Sequence, residues 1–78
     1  MNIVLYTKSG CVNCDRAKAL LKSKGLEYQE SSFDNDPIRW AEFCAAYPDA
    51  RQMPQIFIDG QRVGGLAGLQ AALKQLGV

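Results

Sequence analysis

Cys11 and Cys14 are the residues best placed to do chemistry, in a stretch that reads Lys8-Ser9-Gly10-Cys11-Val12-Asn13-Cys14. The apolar run Ile3-Val4-Leu5-Tyr6 precedes it and a helical pattern starting near Val12 follows, so Cys11 is expected where a strand ends and a helix begins. Helix starts favour negative charge, and a cysteine in that setting with a cation such as Lys8 nearby ionises below the usual thiol value of ~8.5. The thiolate is the nucleophile. Three residues on, Cys14 is almost one turn away on the same side, close enough to attack a mixed disulfide formed at Cys11. The spacing predicts a redox pair, Cys11 attacking and Cys14 resolving.

The elements that must carry this pair follow from hydrophobic patterning. Ile3 to Tyr6 is short, β-branched and apolar, as in a central strand covered on both faces. From Val12 to about Lys24, Cys14, Ala17, Leu20 and Leu21 keep helical spacing, and Gly25 stops the helix. Leu26 to Ser32 is expected as a second strand, which makes a right-handed βαβ unit. Asp36 then caps a helix that starts at Pro37 and runs to about Tyr47, with Trp40, Ala41, Cys44 and Tyr47 on its inner face. Cys44 reads there as a small packed hydrophobe, a regulatory thiol being the other option. Ile56-Phe57-Ile58 and Gln61-Arg62-Val63 flank the hairpin signal Asp59-Gly60. A last helix presents Leu66, Leu69, Leu73 and Leu76 inward, with Gly68 weakening its first turn by roughly 1 kcal/mol. The order is β-α-β-α-β-β-α.

Composition limits the alternatives. Seventy-eight residues suggest one domain, 1–78, and 47% hydrophobic with 22% charged residues is the balance of a soluble globular chain. No apolar run reaches the ~18 residues of a membrane span, and the N-terminus has neither the basic region nor the cleavage site of a signal peptide, so a cytoplasmic protein is expected. A net charge of +1 without a basic cluster gives no case for nucleic acid. Three cysteines and no histidine leave structural zinc short of a fourth ligand, so no metal site is assigned.

Four blocks, Tyr6-Thr7-Lys8 before the cysteines, Arg16-Ala17-Lys18-Ala19-Leu20-Leu21 with Lys24-Gly25 after them, Met53-Pro54-Gln55-Ile56-Phe57-Ile58, and Val63-Gly64-Gly65, together resemble the small dithiol glutaredoxins of bacteria and phages over nearly the whole chain. The resemblance implies a thioredoxin fold in the α/β class, a four-stranded mixed sheet flanked by three helices. It implies a monomeric thiol-disulfide oxidoreductase in which Cys11 attacks protein disulfides or glutathione mixed disulfides and glutathione, as co-substrate, regenerates the thiol. By the same resemblance Lys8 would hold the tripeptide's carboxylate. Met53-Pro54 would be a cis dipeptide offering Met53's backbone to the cysteinyl part, Arg51 and Gln52 would add contacts, and Gly65 with Leu66 would receive the γ-glutamyl end. Simpler readings exist: Lys8 as a solvated charge, Pro54 as a trans strand-starter, Gly64-Gly65 as a plain turn.

The departures from the family pattern open rival readings. Val12-Asn13 stand where the family most often has Pro-Tyr, and Leu66-Ala67-Gly68 stand where it tends to carry an acid that binds the glutathione amine. Losing that contact would weaken glutathione by ~1 to 3 kcal/mol. Cys-Val-Asn-Cys also resembles the glutaredoxin-like redoxins that take electrons from thioredoxin reductase and serve ribonucleotide reductase, although their aromatic tail motif is absent. No tightly bound cofactor is expected; a [2Fe-2S] cluster held by Cys11 from two chains and two glutathiones is an alternative, since some family members lacking the active-site proline carry one. A redox-inactive binding module is the third.

Overall fold

The structure, a computed structural model, describes residues 1–50 and 52–78. Its elements are β1 (Ile3–Thr7), α1 (Val12–Ser23), β2 (Gln29–Ser32), α2 (Pro37–Ala46), β3 (Gln55–Ile58), β4 (Gln61–Gly64) and α3 (Leu66–Leu76). The expected order is therefore the observed one. The sheet runs β2-β1-β3-β4, with β1 parallel to β2 and antiparallel to β3, and β3 antiparallel to β4. Asp59 and Gly60 both take positive φ, at 50° and 82°, the two-residue turn whose twist matches a hairpin.

Alternation along β1 divides the interior. Ile3 and Leu5 face α1 and α3 and pack with Ala17, Leu21, Ile56, Ile58, Leu69 and Leu73. On the other face Tyr6 stacks on Phe33 with ring centroids 5.4 Å apart, and Phe43, Tyr47 and Phe57 close around them. Rings set the inner face of α2, which corrects the expected stripe. Phe43 is the buried residue, Trp40 and Tyr47 flank it, Ala41 is exposed and Cys44 is half-buried. The sheet face opposite α2 is aromatic, and only large side chains at positions 40, 43 and 47 reach it.

Three further expectations are corrected. The second strand begins at Gln29, not Leu26. The Gly25 N–H donates to the Lys22 carbonyl at 3.0 Å and the Leu26 N–H to the Leu21 carbonyl at 3.0 Å, so Leu26 is spent in closing α1. Leu76 is 53% exposed, because the chain turns at Gly77, while Ala72 packs against the core instead. Gly68 is not a loose point. A Cβ there would lie 1.9 Å from the Val63 carbonyl oxygen, so the missing side chain lets α3 lie directly on β4.

Glu30 ties three elements together beneath the site. Its Oε2 accepts the Thr7 hydroxyl at 2.8 Å and the Lys18 ammonium at 3.2 Å. The Thr7 hydrogen bond, then Lys18, holds the Glu30 carboxyl below its ordinary value, and the Glu30 hydrogen bond raises Lys18 above its own. A depressed carboxyl stabilises the fold above its unfolded value and loses that contribution as pH falls through the folded one. Glu30→Gln is expected to flatten the acid limb of a plot of melting temperature against pH. Identical acid limbs in parent and variant would remove Glu30 from this role.

Candidate active site

The β1 strand ends at Thr7, and Lys8-Ser9-Gly10 carry the chain to α1, with Gly10 at φ 71° making the turn. Cys11 is the N-cap. Its backbone is extended, its carbonyl accepts the Asp15 N–H at 3.3 Å, and its Sγ accepts the Cys14 N–H at 3.0 Å. The sequence expectation of a sulfur at a helix start is met, and the N–H donor and the helix dipole both favour negative charge on that atom. The two cysteines are joined as a disulfide, their Cα atoms 5.2 Å apart. Their exposures differ sharply. Cys14 is 1% exposed and packs among Phe33, Phe43, Ala50 and Met53, whereas Cys11 is partly exposed beside the solvated Val12 and Asn13. An incoming sulfur can reach Cys11 and not Cys14.

A second loop closes on the first. The Met53–Pro54 peptide is cis, as the family resemblance implied, and Cys11 Sγ lies 3.3 Å from the Met53 carbonyl oxygen. Met53 and Pro54 are buried, Gln52 is exposed, and the Gln52 carbonyl accepts the Gln55 Nε2 at 2.8 Å. A Cβ at Gly65 would sit 3.4 Å from the Pro54 carbonyl oxygen, so β4 and α3 meet directly against the proline loop. Cys11, Met53, Pro54 and Gly65 are thus linked by successive contacts, with the half-buried Leu66 opening α3 beyond them. Lys8 is exposed and lines a shallow groove of about 290 Å3 with Phe33, Asp34 and Trp40. Arg51 lies outside the described residues.

Two arrangements around the site escaped the sequence reading. Asp34, read only as a turn residue, accepts the backbone N–H of Ser9 at 3.0 Å and the Ser9 hydroxyl, and these bonds hold its carboxyl below the ordinary aspartate value. Arg62 Nη2 donates to Asp49 Oδ2 at 2.7 Å, and its guanidinium lies 4.8 Å from the Tyr47 ring centroid, joining β4 to the segment that follows α2. Both pair residues far apart in sequence. Neither carried a signal beyond the charge of the acid. Among the described residues no group of three or more His, Cys, Asp or Glu side chains could hold a metal ion.

The arrangement can perform thiol-disulfide exchange, with an accessible sulfur held where negative charge is favoured, a buried partner at bonding distance, and backbone polar groups beside them. Residues 3–63 match the family model for glutaredoxin. The chain is 43% identical over 70 residues to glutaredoxin 3 of Escherichia coli, covering 90% of this chain and 83% of that one. The solution structure of glutaredoxin from Brucella melitensis superposes with a TM-score of 0.76 at 39% identity, covering 99% of this chain and 82% of that one. A buckwheat glutaredoxin–glutathione complex gives 0.80 at 25% identity, over 94% and 68%.

Proposed function

The chain belongs to the glutaredoxin family and is a thiol-disulfide oxidoreductase, and from that premise we propose that glutathione supplies its electrons, with Cys11 as nucleophile and Cys14 as resolving thiol. The observation that carries this reading is the asymmetry of the pair, a partly exposed Cys11 at the α1 N-cap beside a buried Cys14. The Cys11 thiolate attacks one sulfur of a substrate disulfide, forming a mixed disulfide and expelling the other sulfur as thiolate. The Cys14 thiolate then attacks Cys11 Sγ, the second substrate thiolate leaves, and two electrons have passed from the protein to the substrate. One glutathione thiolate opens the Cys11–Cys14 bond at the accessible Cys11 Sγ, and a second attacks the glutathione sulfur, releasing Cys11 and oxidised glutathione.

In this reading the tripeptide lies along the surface from Lys8 past Cys11 to Gly65. The Met53 backbone meets its cysteinyl part, Lys8 its glycyl carboxylate, Gln52 and Arg51 its flank, and the α3 start at Gly65 and Leu66 its γ-glutamyl carboxylate. The buckwheat complex supports a glutathione site on this fold. Protein disulfides, ribonucleotide reductase among them, are the proposed substrates, and the cytoplasm, whose thiols are kept reduced, the proposed compartment. No described helix is long and apolar enough to cross a membrane.

A second reading has one observation in its favour. The first turn of α3 carries no acidic residue, so nothing there pairs with a cationic amine, and a redoxin fed by thioredoxin reductase needs no such pairing. The test is turnover of a small mixed disulfide with glutathione and glutathione reductase, beside the same assay with thioredoxin reductase. Turnover with glutathione is expected. Turnover with thioredoxin reductase alone would establish the redoxin reading, and a brown dimer on anaerobic reconstitution with iron and sulfide would point to a cluster carrier.

A further inference from the structure

The loop that delivers Cys11 is anchored from outside the site. Asp34 Oδ1 accepts the Ser9 N–H at 3.0 Å, Oδ2 accepts the Ser9 hydroxyl, and the Asp34 N–H donates to Ser32 Oγ at 3.1 Å. Among the described residues the two bonds to Ser9 are the only hydrogen bonds tying Lys8, Ser9 or Gly10 to a distant part of the chain. Asp34 itself stands on firm ground. It follows Phe33, which is buried in the aromatic layer and donates its N–H to the Thr7 carbonyl at 3.0 Å, and it precedes Asp36, which caps α2 by accepting the Arg39 N–H at 3.1 Å. Gly10, with its positive φ and no side chain, gives the loop freedom that Ser9 alone restrains.

We propose that Asp34 is a positioning residue for thiol-disulfide exchange: by gripping Ser9 at both backbone and hydroxyl, it fixes Cys11 at the α1 N-cap, where Sγ meets the Cys14 N–H. The inference rests on Cys11 being the nucleophile. Two effects of opposite sign separate it from a purely electrostatic role. A carboxylate near the nucleophile disfavours a second negative charge, so neutralising it should ease ionisation of Cys11. Losing the anchor should do the reverse, because Sγ would leave its N–H donor. Asn at 34 removes the charge and keeps a group that can accept the Ser9 N–H, whereas Ala removes both.

The experiment follows alkylation of reduced Cys11 by iodoacetamide against pH, resolved by peptide mass spectrometry, beside turnover of a small mixed disulfide. Asp34→Ala is expected to raise the pH midpoint of Cys11 alkylation and lower turnover about tenfold, the equivalent of one to two hydrogen bonds. Asp34→Asn is expected to leave the midpoint unchanged or lower it and keep turnover within about twofold, the cost of one imperfect hydrogen bond. Ser9→Ala, which keeps the backbone bond, should show a smaller rise. Equal midpoints in Asp34→Ala and Asp34→Asn, or a parent-like Asp34→Ala, would overturn the proposal. Should Asp34→Ala fail to fold, a parent-like midpoint in Ser9→Ala would overturn it. A parent without turnover would instead remove the functional reading on which it rests.

Discussion

Replacing Cys11 with serine is expected to lower turnover of a mixed disulfide at least about a thousandfold, because a hydroxyl at that position cannot supply the thiolate on which every exchange step depends. The helix-start environment does not rescue it, since the Cys14 N–H at 3.0 Å assists an anion that serine does not form near neutral pH. Cys14→Ser should behave differently. Cys14 is 1% exposed and takes no part in the first attack, so a glutathione mixed disulfide, which a second glutathione can resolve, should still turn over. Reduction of protein disulfides should fall far more, because the internal attack that releases the substrate is gone. The coupled assay with glutathione reductase reads both variants. Equal loss in the two would mean that the small substrate also needs the dithiol route, and the assignment of separate roles would fail.

Gly68→Ala is expected to destabilise the fold by about 2 to 3 kcal/mol, despite the better helix propensity of alanine. The added Cβ would lie 1.9 Å from the Val63 carbonyl oxygen and 2.8 Å from its carbon, both backbone atoms with no rotamer to yield. Either α3 tilts away from β4 or β4 gives way, and Leu69 and Leu73 lose packing in the core. For a chain of this size that corresponds to a fall in melting temperature of about 10 to 20 °C. Activity should fall too, because Gly65, the N-cap of α3, lies against the Pro54 carbonyl, and a shifted helix opens that contact. An unchanged melting temperature in Gly68→Ala would show that α3 can slide on the sheet without loss.

Periodicity decided the elements where one face of each met one environment. The apolar run of β1, the Asp36-Pro37 helix start, the Asp59-Gly60 turn and the Gly25 stop are local rules, satisfied by residues within four positions of one another, and each gives the expected element. The chemistry of Cys11 was legible for the same reason, since helix start, spacing and partner lie within four residues. The boundary of β2 and the inner face of α2 were not. Leu26 could be given to the closure of α1 only once its bond to Leu21 was seen, and Phe43 outranks Ala41 only because Tyr6, Phe33 and Phe57 present rings to it.

By itself, then, the sequence determined the order of strands and helices and the redox pair, because those follow from short-range spacing and the geometry of a helix start. Tertiary structure alone decided what surrounds the pair. The approach of Cys11 Sγ to the Met53 carbonyl, of Gly65 to Pro54, of α3 to β4 at Gly68 and of Asp34 to Ser9 each joins segments that no local rule connects. Such contacts exist only when the sheet has fixed its register and brought distant loops to the same end of its strands. That is why a glycine that reads as a weak point in a helix proves to be a packing contact, and an aspartate that reads as a turn holds the loop before Cys11.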